Sequence, residues 1–198
     1  MNKVLKWCVL VSIFNLAAIG LSPAKANEFG YLEAQVTQVS QSDVTADTGY
    51  GIELSIPLSE KWYLIGSNIQ SELISDIGVE MDFTNWYLGA GRHWTISPTS
   101  TLYLQLSAET QKLAADIGRT DRRGASFELG NHYRVNDNWV LTAYGRYSDI
   151  NIASMNDRSD EFYFGARLSY QFKPNLEIGF GYESGDFSRT ELGLRFRF

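Results

Sequence analysis

The sequence has 198 residues, of which 44% are hydrophobic and 20% charged, and its formal net charge at pH 7 is −6. A chain of this length makes about one domain. Its acidic balance makes nucleic acid a poor candidate for a partner.

Residues 1–26 have the pattern of a cleaved secretory signal peptide. Two lysines open it, a mostly apolar stretch follows, and Ala24 and Ala26 offer the small side chains that a signal peptidase reads. The apolar stretch is shorter than the ~20 residues of a spanning helix, which disfavours the alternative of an uncleaved membrane anchor. We therefore predict export through the general secretory pathway and a mature domain over residues 27–198.

The single cysteine, Cys8, lies before that apolar stretch, whereas a lipoprotein signal would need it at the cleavage point. Cleavage would remove Cys8 and leave a mature chain with no disulfide, thiolate nucleophile or cysteine metal site. It would also remove three lysines and no acidic residue, which takes the net charge from −6 to −9.

From Phe29 onward, apolar and polar residues alternate with a period of two, which indicates β-strands. In the run from Phe162 to Phe172, for example, aromatic and aliphatic residues alternate with Tyr, Gly, Arg, Ser and Gln. The pattern predicts an all-β fold, a single antiparallel up-and-down transmembrane β-barrel of 10 strands. Merging uncertain early runs would give 8, and both counts are even, as in single-chain bacterial barrels. The ten strands are predicted near 29–40, 49–58, 62–72, 82–96, 101–112, 123–134, 139–149, 160–172, 176–184 and 187–198.

The connections are predicted to alternate in length. Short turns rich in turn-forming residues lie at 59–61, 97–100, 135–138 and 173–175. Longer loops are expected near 41–48, 73–81, 113–122 and 150–159. This alternation is typical of outer-membrane barrels, in which the short turns face the periplasm.

Three features favour a membrane barrel over a soluble one, which would point its apolar face inward. Aromatic residues gather beside the short turns, as in an interfacial girdle: Trp62, Tyr63, Trp94, Tyr133, Trp139 and Phe172. Glycines fall mainly on the polar face, where they would make room for long side chains in a narrow lumen. The charges on that face are nearly balanced and predict a lumen ion-pair cluster of Glu109, Glu128, Arg146, Arg167, Glu177, Glu191 and Arg195.

Three members of this cluster are predicted to meet in the upper lumen. Glu109, Glu128 and Arg146 fall at similar heights on three consecutive predicted strands. They could form a buried ion cluster that fixes strand register, or they could gate a narrow pore. The balanced charge favours the structural role, because ion selectivity calls for a ring of one sign.

The chain resembles the small outer-membrane β-barrel family typified by the OmpA barrel, OmpX and Ail. The resemblance covers the mature chain and is sharpest in the last predicted strand, where Leu194, Phe196 and Phe198 alternate with polar residues. In that family such a strand is the signal read by the barrel-assembly machinery. The resemblance therefore implies an assembly signal at these three residues, with periplasmic chaperones as further partners during biogenesis, and a monomeric barrel.

Candidate catalytic residues are scarce. An outer-leaflet enzyme needs a histidine with a nucleophile or carboxylate near the extracellular rim. His93 and His132 come late in strands predicted to descend, and neither begins the His-x-Ser pattern of the family's lipid A deacylase. The acidic residues at 76–82 and 157–161 match no calcium loop. We predict no catalytic residue, cofactor or metal site.

One basic cluster is predicted in a long loop and consists of Arg119, Arg122 and Arg123. Because arginine pairs bidentately with phosphate, these residues could contact lipopolysaccharide. The alternative is local pairing with Asp116 and Asp121.

The leading hypothesis is a non-enzymatic outer-membrane barrel with a structural or surface-interaction role and a polar, ion-paired lumen. The alternative is a small porin-like channel for ions or small solutes. A weaker alternative is an outer-leaflet lipid-modifying enzyme.

Overall fold

The computed structural model describes residues 28–40, 44–46, 48–75, 79–115, 118–152, 157–185 and 188–198. The predicted signal peptide lies outside the described residues. Within them, no helix is long and apolar enough to cross a membrane.

Ten long strands make up the fold in these ranges, which confirms the larger of the two predicted counts. They are β1 (Tyr31–Ser40), β2 (Thr48–Pro57), β3 (Trp62–Ser75), β4 (Glu80–Ser97), β5 (Ser100–Ala115), β6 (Gly118–Arg134), β7 (Trp139–Ile152), β8 (Asp157–Lys173), β9 (Leu176–Ser184) and β10 (Ser188–Arg197). A three-residue strand, Val44–Ala46, precedes β2 and pairs with the end of β3.

The sheet closes on itself. Each strand pairs antiparallel with its neighbours in the chain, and β10 pairs with β1 to complete the barrel. Because the strand number is even, β1 begins and β10 ends at the same rim. We call this end the lower rim, and it also carries the turns 58–61, 98–99, 135–138 and 174–175.

The strands differ in length, so the barrel has one tall side. β3 to β8 contain 14 to 18 residues each, whereas β9, β10, β1 and β2 contain 9 or 10. β8 pairs with β9 only as far as Phe164, while its pairing with β7 continues to Asp157. The extra residues therefore extend the upper rim, and we call β3 to β8 the tall wall.

The prediction of long upper loops is wrong, because most of the residues assigned to these loops belong to strands. Strand extends over 73–75 and 80–81, over 113–115 and 118–122, and over 150–152 and 157–159, while residues 76–78, 116–117 and 153–156 lie outside the described residues. The upper ends of these strands are polar on both faces, as in Gly118–Arg122. Without an apolar face they show no period-two pattern, and the sequence reading ended the strands too early.

Side chains alternate between the outside and the lumen. On β8, Phe162 and Phe164 are 56% and 64% exposed, whereas Glu161, Tyr163 and Arg167 are 5%, 2% and 7% exposed. The exposed face is apolar and the buried face is polar. This is the reverse of a soluble barrel and the arrangement of a transmembrane one.

Three lumen glycines lie opposite tyrosines on the neighbouring strand. Gly91 is paired with Tyr63, Gly130 with Tyr103, and Gly165 with Tyr144. In each pair, a Cβ on the glycine would overlap the tyrosine ring. The glycines therefore let rings from the neighbouring strand lie flat against the barrel wall, and this packing resembles the aromatic rescue of strand glycines.

Substituting one of these glycines is expected to destabilise the barrel. In Gly130→Ala the new methyl group displaces the Tyr103 ring, whose hydroxyl donates a 2.8 Å hydrogen bond to Glu128. We expect the free energy of unfolding to fall by about 1–3 kcal/mol, as for other overpacked sites. Urea unfolding in lipid vesicles measures the change.

Gly145→Ala is the matched control. The nearest atom to a Cβ at Gly145 is a Phe162 ring carbon at an ordinary contact distance of 3.6 Å. Relief of the entropic cost of glycine should leave this variant as stable as the wild type or more so. Equal losses in the two variants would contradict the packing role of the lumen glycine.

Candidate functional site

A continuous chain of alternating charges crosses the lumen, and we call it the ionic chain. Successive members lie at most 3.8 Å apart between side-chain nitrogen and oxygen. In order, they are Arg197, Glu177, Arg195, Glu33, Arg167, Glu191, Arg189, Glu183 and Arg146. The chain links β1, β7, β8, β9 and β10, so it ties strands together from the inside of the barrel.

Glu33 is the centre of the ionic chain and is only 1% exposed. Its Oε2 lies 2.7 Å from Nε of Arg195, and its Oε1 lies 2.7 Å from Nη2 of Arg167. One carboxylate therefore connects β1 to β10 and to β8. Because a buried charge is costly unless it is paired, each of these residues depends on the others.

Arg146 ends the ionic chain in the upper lumen. It contacts Glu183 of β9 at 2.9 Å, and its guanidinium carbon lies 4.6 Å from the centre of the Tyr163 ring. The prediction that Arg146 forms an ion cluster with Glu109 and Glu128 is wrong, because the ionic partner of Arg146 is Glu183. Glu128 lies opposite Arg146 in the register of β6 and β7, yet the long arginine side chain reaches across to β9.

The two predicted partners use neutral donors instead. Glu128 accepts its hydrogen bond from Tyr103. Glu109 accepts hydrogen bonds from Asn85 at 3.0 Å and from Ser148 at 3.1 Å. Both carboxylates remain in the lumen as predicted, but next to the ionic chain rather than in it.

A second wall of the lumen is built from tyrosines and carboxylates that the sequence analysis did not group. Glu53 accepts hydrogen bonds from Tyr31, at 2.7 Å, and from Tyr87. Tyr144 donates to Glu183 at 2.9 Å and so joins this wall to the ionic chain. These residues occupy the alternate positions of their strands that point into the lumen, and this period-two pattern could have revealed them.

The predicted cluster is thus largely assembled but was incomplete. Five of its members belong to the ionic chain, together with Glu33, Glu183, Arg189 and Arg197. The period-two pattern of the sequence places these four charges on the same polar face as the members of the predicted cluster. Their partners could not be predicted, because contacts across the lumen depend on strand tilt and stagger.

Aromatic rings fill the lower end of the lumen, and we call this group the lower plug: Phe29, Tyr63, His93, Tyr103 and His132. Phe29, just before β1, stacks on His93 with ring centres 4.1 Å apart and on Tyr63 at 4.7 Å. His132 stacks on Tyr103 at 4.9 Å. These contacts occupy the lower entrance with packed rings.

The assignment of Tyr63 to the interfacial girdle was wrong, because this side chain is 2% exposed and lies in the lower plug. Its neighbour Trp62 faces outward and is 48% exposed. Adjacent residues of a strand point to opposite faces, so only one of the two can lie at the lipid interface.

Apolar side chains gather inside the barrel near the upper rim, and we call them the upper plug: Val39, Leu73 and Phe83. They are between 1% and 6% exposed, and Met81 and Leu113 pack against them. This group was not predicted, although all three central residues occupy positions of their strands that alternate with the outward-facing ones. The described part of the lumen is therefore packed with apolar residues above and aromatic residues below.

The space that remains is small. A cavity of about 90 Å³ lies between the ionic chain and the tyrosine wall, lined among others by Glu53, Glu128, Arg189 and Arg195. A second, of about 20 Å³, lies below the upper plug. A single water needs about 10–15 Å³ of such space, so the first cavity has room for several waters and the second for about one.

The other predicted girdle residues face outward near the lower rim. Tyr133, Trp139 and Phe172 are exposed, and Trp94 is half-buried beside Arg92. The guanidinium of Arg92 lies 5.4 Å and 5.2 Å from the ring centres of Trp62 and Trp94. A second outward belt nearer the upper rim, not predicted, contains Trp86, Tyr147, Phe162 and Tyr182.

The basic cluster lies on strand β6 rather than in a loop, and its members point in different directions. Arg122 faces the lumen side and lies 3.7 Å from Glu161. Arg119 and Arg123 are exposed on the outer face. Arg119 donates two hydrogen bonds to Asp121, at 2.8 Å and 3.1 Å, which is the local pairing that the sequence offered as an alternative.

The predicted assembly residues lie on the strand that closes the barrel. Leu194 and Phe196 are half-buried on the outer face of β10, and Phe198 follows that strand. The amide of Phe198 donates to the carbonyl of Gly30 at 3.0 Å.

The two histidines lie in the lower plug, at the end of the barrel that the sequence predicted. Nδ1 of His132 is 2.7 Å from Oγ1 of Thr142, and His93 stacks on Phe29. Within the described ranges, no group of three or more His, Cys, Asp or Glu side chains is arranged to hold a metal ion.

The family described as outer membrane protein beta-barrel domain matches residues 11–172. No curated protein sequence matches the chain. Among solved structures, an outer membrane channel from Pseudomonas putida F1 is similar with a TM-score of 0.54 and 10% identity, over 91% of this chain and 100% of that one. The NanC porin has a TM-score of 0.50 and 11% identity, over 84% and 100%. Neisserial surface protein A has a TM-score of 0.49 and 12% identity, over 85% and 96%. At these identities the likeness concerns the fold alone.

Proposed function

The chain belongs to the outer membrane protein beta-barrel domain family, and from this premise we propose that it is a non-enzymatic barrel with a closed lumen. Its proposed role is to serve the envelope structurally or to interact at the cell surface.

The family places the protein in the outer membrane of Gram-negative bacteria. In our proposal the lower rim faces the periplasm and the tall wall rises from the cell surface. A membrane strand needs only about 9–11 residues, whereas β4 has 18. The surplus in β3 to β8 would then present a rigid sheet outside the cell, where the sequence analysis expected loops.

The observation that carries the proposal is the ionic chain. It spans the lumen between β1 and β7, with Glu33, Arg167 and Arg195 each less than 10% exposed. The lower and upper plugs fill the space at either end of it. An interior filled in this way supports a structural role, because a conducting pore needs a continuous column of water.

A narrow channel is the second candidate, and the cavity of about 90 Å³ favours it. Charges of both signs line this cavity, including Glu53, Glu128, Arg189 and Arg195. A channel would require both plugs to move aside. Current recording in planar bilayers separates the candidates: the closed barrel is expected to give no steady openings.

The non-enzymatic part of the proposal rests on the surroundings of the histidines. His93 and His132 are stacked in the lower plug, and His132 faces a threonine hydroxyl rather than a carboxylate. Incubation of the folded protein with lipid A and with peptides tests this part, and turnover of either substrate would contradict it.

The proposal also covers biogenesis. Leu194 and Phe196 on the closing strand, and Phe198 directly after it, are the residues through which the assembly machinery and periplasmic chaperones would recognise the chain. We propose that the folded barrel acts as a monomer.

A further inference from the structure

A group of cations lies on the outer face of the hairpin formed by β5 and β6. Lys112, Arg119 and Arg123 share this face with Asp121. Leu106 and Phe127, which lie lower on the same two strands, are 59% and 42% exposed on the outside of the barrel. The cations lie an even number of residues from them and therefore point to the same face. The group is therefore on the outside of the barrel, not in its lumen.

The register brings these side chains together. Lys112 lies directly opposite Asp121, and Arg119 and Arg123 are the two residues diagonal to it on β6. Directly opposite side chains have Cβ atoms about 5 Å apart, and diagonal ones about 7–8 Å. Three cations thus surround one carboxylate within the span of a single phosphorylated headgroup.

The carboxylate of Asp121 already has a cationic partner in Arg119. Arg119 holds Asp121 through two hydrogen bonds, and these lower the pKa of the Asp121 carboxyl below its ordinary value. Within the described part of the chain, neither Lys112 nor Arg123 has a carboxylate within 4 Å or a side-chain hydrogen bond. Asp82 and Asp149 flank the group on the neighbouring strands β4 and β7, opposite Ala114 and Ala125 respectively.

The height of the group on the barrel matches the edge of the membrane. On β5 the outward residues from Leu102 to Ala108 are apolar, and on β6 those from Leu129 to Ala125 are apolar. The cations begin above this apolar span, with Lys112 above Thr110 on β5 and Arg123 directly above Ala125 on β6. Trp86 of the upper aromatic belt lies opposite Thr110 on the neighbouring strand, and tryptophan marks the lipid–water interface, which places the cations at or just above the level of lipid headgroups.

We propose that Lys112, Arg119 and Arg123 form a binding site for the phosphoryl groups of lipopolysaccharide in the outer leaflet. Arginine pairs bidentately with phosphate and lysine supplies a compact charge. Lys112 and Arg123 would bind the phosphate directly, while Arg119 also holds Asp121 away from it. Arg122 has no part in the site, because it faces the lumen side. The site lies on the outer face and is independent of whether the lumen conducts.

The test uses the folded mature chain and lipid A that carries both phosphates. Binding is measured by native mass spectrometry and fluorescence titration for the wild type and for Lys112→Gln/Arg123→Gln. We expect the double variant to bind about tenfold more weakly or worse, since two charge-assisted contacts are lost. Dephosphorylated lipid A should bind the wild type as weakly as phosphorylated lipid A binds the variant.

Arg134→Gln is the matched control, because Arg134 is an exposed arginine at the opposite end of the same strand. It should leave the affinity unchanged, and heat-modifiable migration on gels confirms that each variant is folded. Equal binding of dephosphorylated lipid A, unchanged affinity in the double variant, or an equal loss in the Arg134 variant would overturn the proposal. So would inorganic phosphate that binds as tightly as the lipid.

Discussion

Replacing Glu33 with glutamine is expected to lower the free energy of unfolding of the barrel by about 3–5 kcal/mol, the range measured when one partner of a buried ion pair is removed. The substitution keeps the shape of the side chain and removes its charge. Arg195 and Arg167, each 7% exposed, would then lose the carboxylate that lies 2.7 Å from both. Equilibrium urea unfolding in lipid vesicles, followed by tryptophan fluorescence, measures the loss.

Glu60→Gln removes the same charge from an exposed turn at the lower rim and serves as the control. A surface change of this kind should alter the stability by no more than about 0.5 kcal/mol. If Glu33→Gln cost less than about 1 kcal/mol, the ionic chain would not be the element that ties β1, β8 and β10 together. The lumen would then have to be held by its plugs and backbone pairing.

Replacing Leu106 with arginine tests the outer face and is expected to cost about 2–4 kcal/mol in a lipid bilayer. Leu106 is 59% exposed and lies on β5 midway between Leu102, opposite Trp94, and Thr110, opposite Trp86. It should therefore sit near the middle of the hydrocarbon, where an arginine is most costly. Unfolding of the barrel in vesicles gives the free-energy difference.

Ile96→Arg is the paired measurement at the rim. Ile96 is 64% exposed and lies two residues below Trp94, outside the predicted lower interface. There an arginine should cost only about 0–1 kcal/mol. Similar costs at the two positions would mean that the two aromatic belts do not mark the edges of the membrane.

The fold was largely predictable because one physical rule governs most of the chain. A strand with lipid on one face and a packed polar lumen on the other must alternate in polarity, and the run from Phe162 to Phe172 does so without a break. Where both faces meet water the rule gives no signal. This is why Gly118–Arg122 was assigned to a loop and is strand β6.

Whether a side chain faces the lumen or the outside was predictable wherever the period of two was applied to each residue of the strand. Tyr63 was assigned to the girdle because it lies beside a short turn, whereas the alternation along its strand requires it to face the lumen. The same argument separates Arg122 from Arg123. In each case neighbours in sequence were treated as neighbours in space, although adjacent residues of a strand lie on opposite faces of the sheet.

Contacts between side chains across the lumen could not be predicted from the sequence. Glu128 and Arg146 are directly opposite in register, yet Arg146 contacts Glu183 two strands away. Which residues meet depends on the tilt and stagger of the strands and on the reach of long side chains. The upper plug shows the same limit, because Val39, Leu73 and Phe83 come from three strands and no local pattern joins them.

Single-channel recording in planar bilayers tests the closed lumen most directly. The folded mature barrel is expected to give no steady openings at either polarity, and Arg146→Ala is expected to stay silent because the lower plug remains in place. Steady, ion-selective openings of the wild type that change in the Arg146→Ala variant would contradict the account. The lumen would then be a gated pore, with Arg146 and Glu183 at its gate.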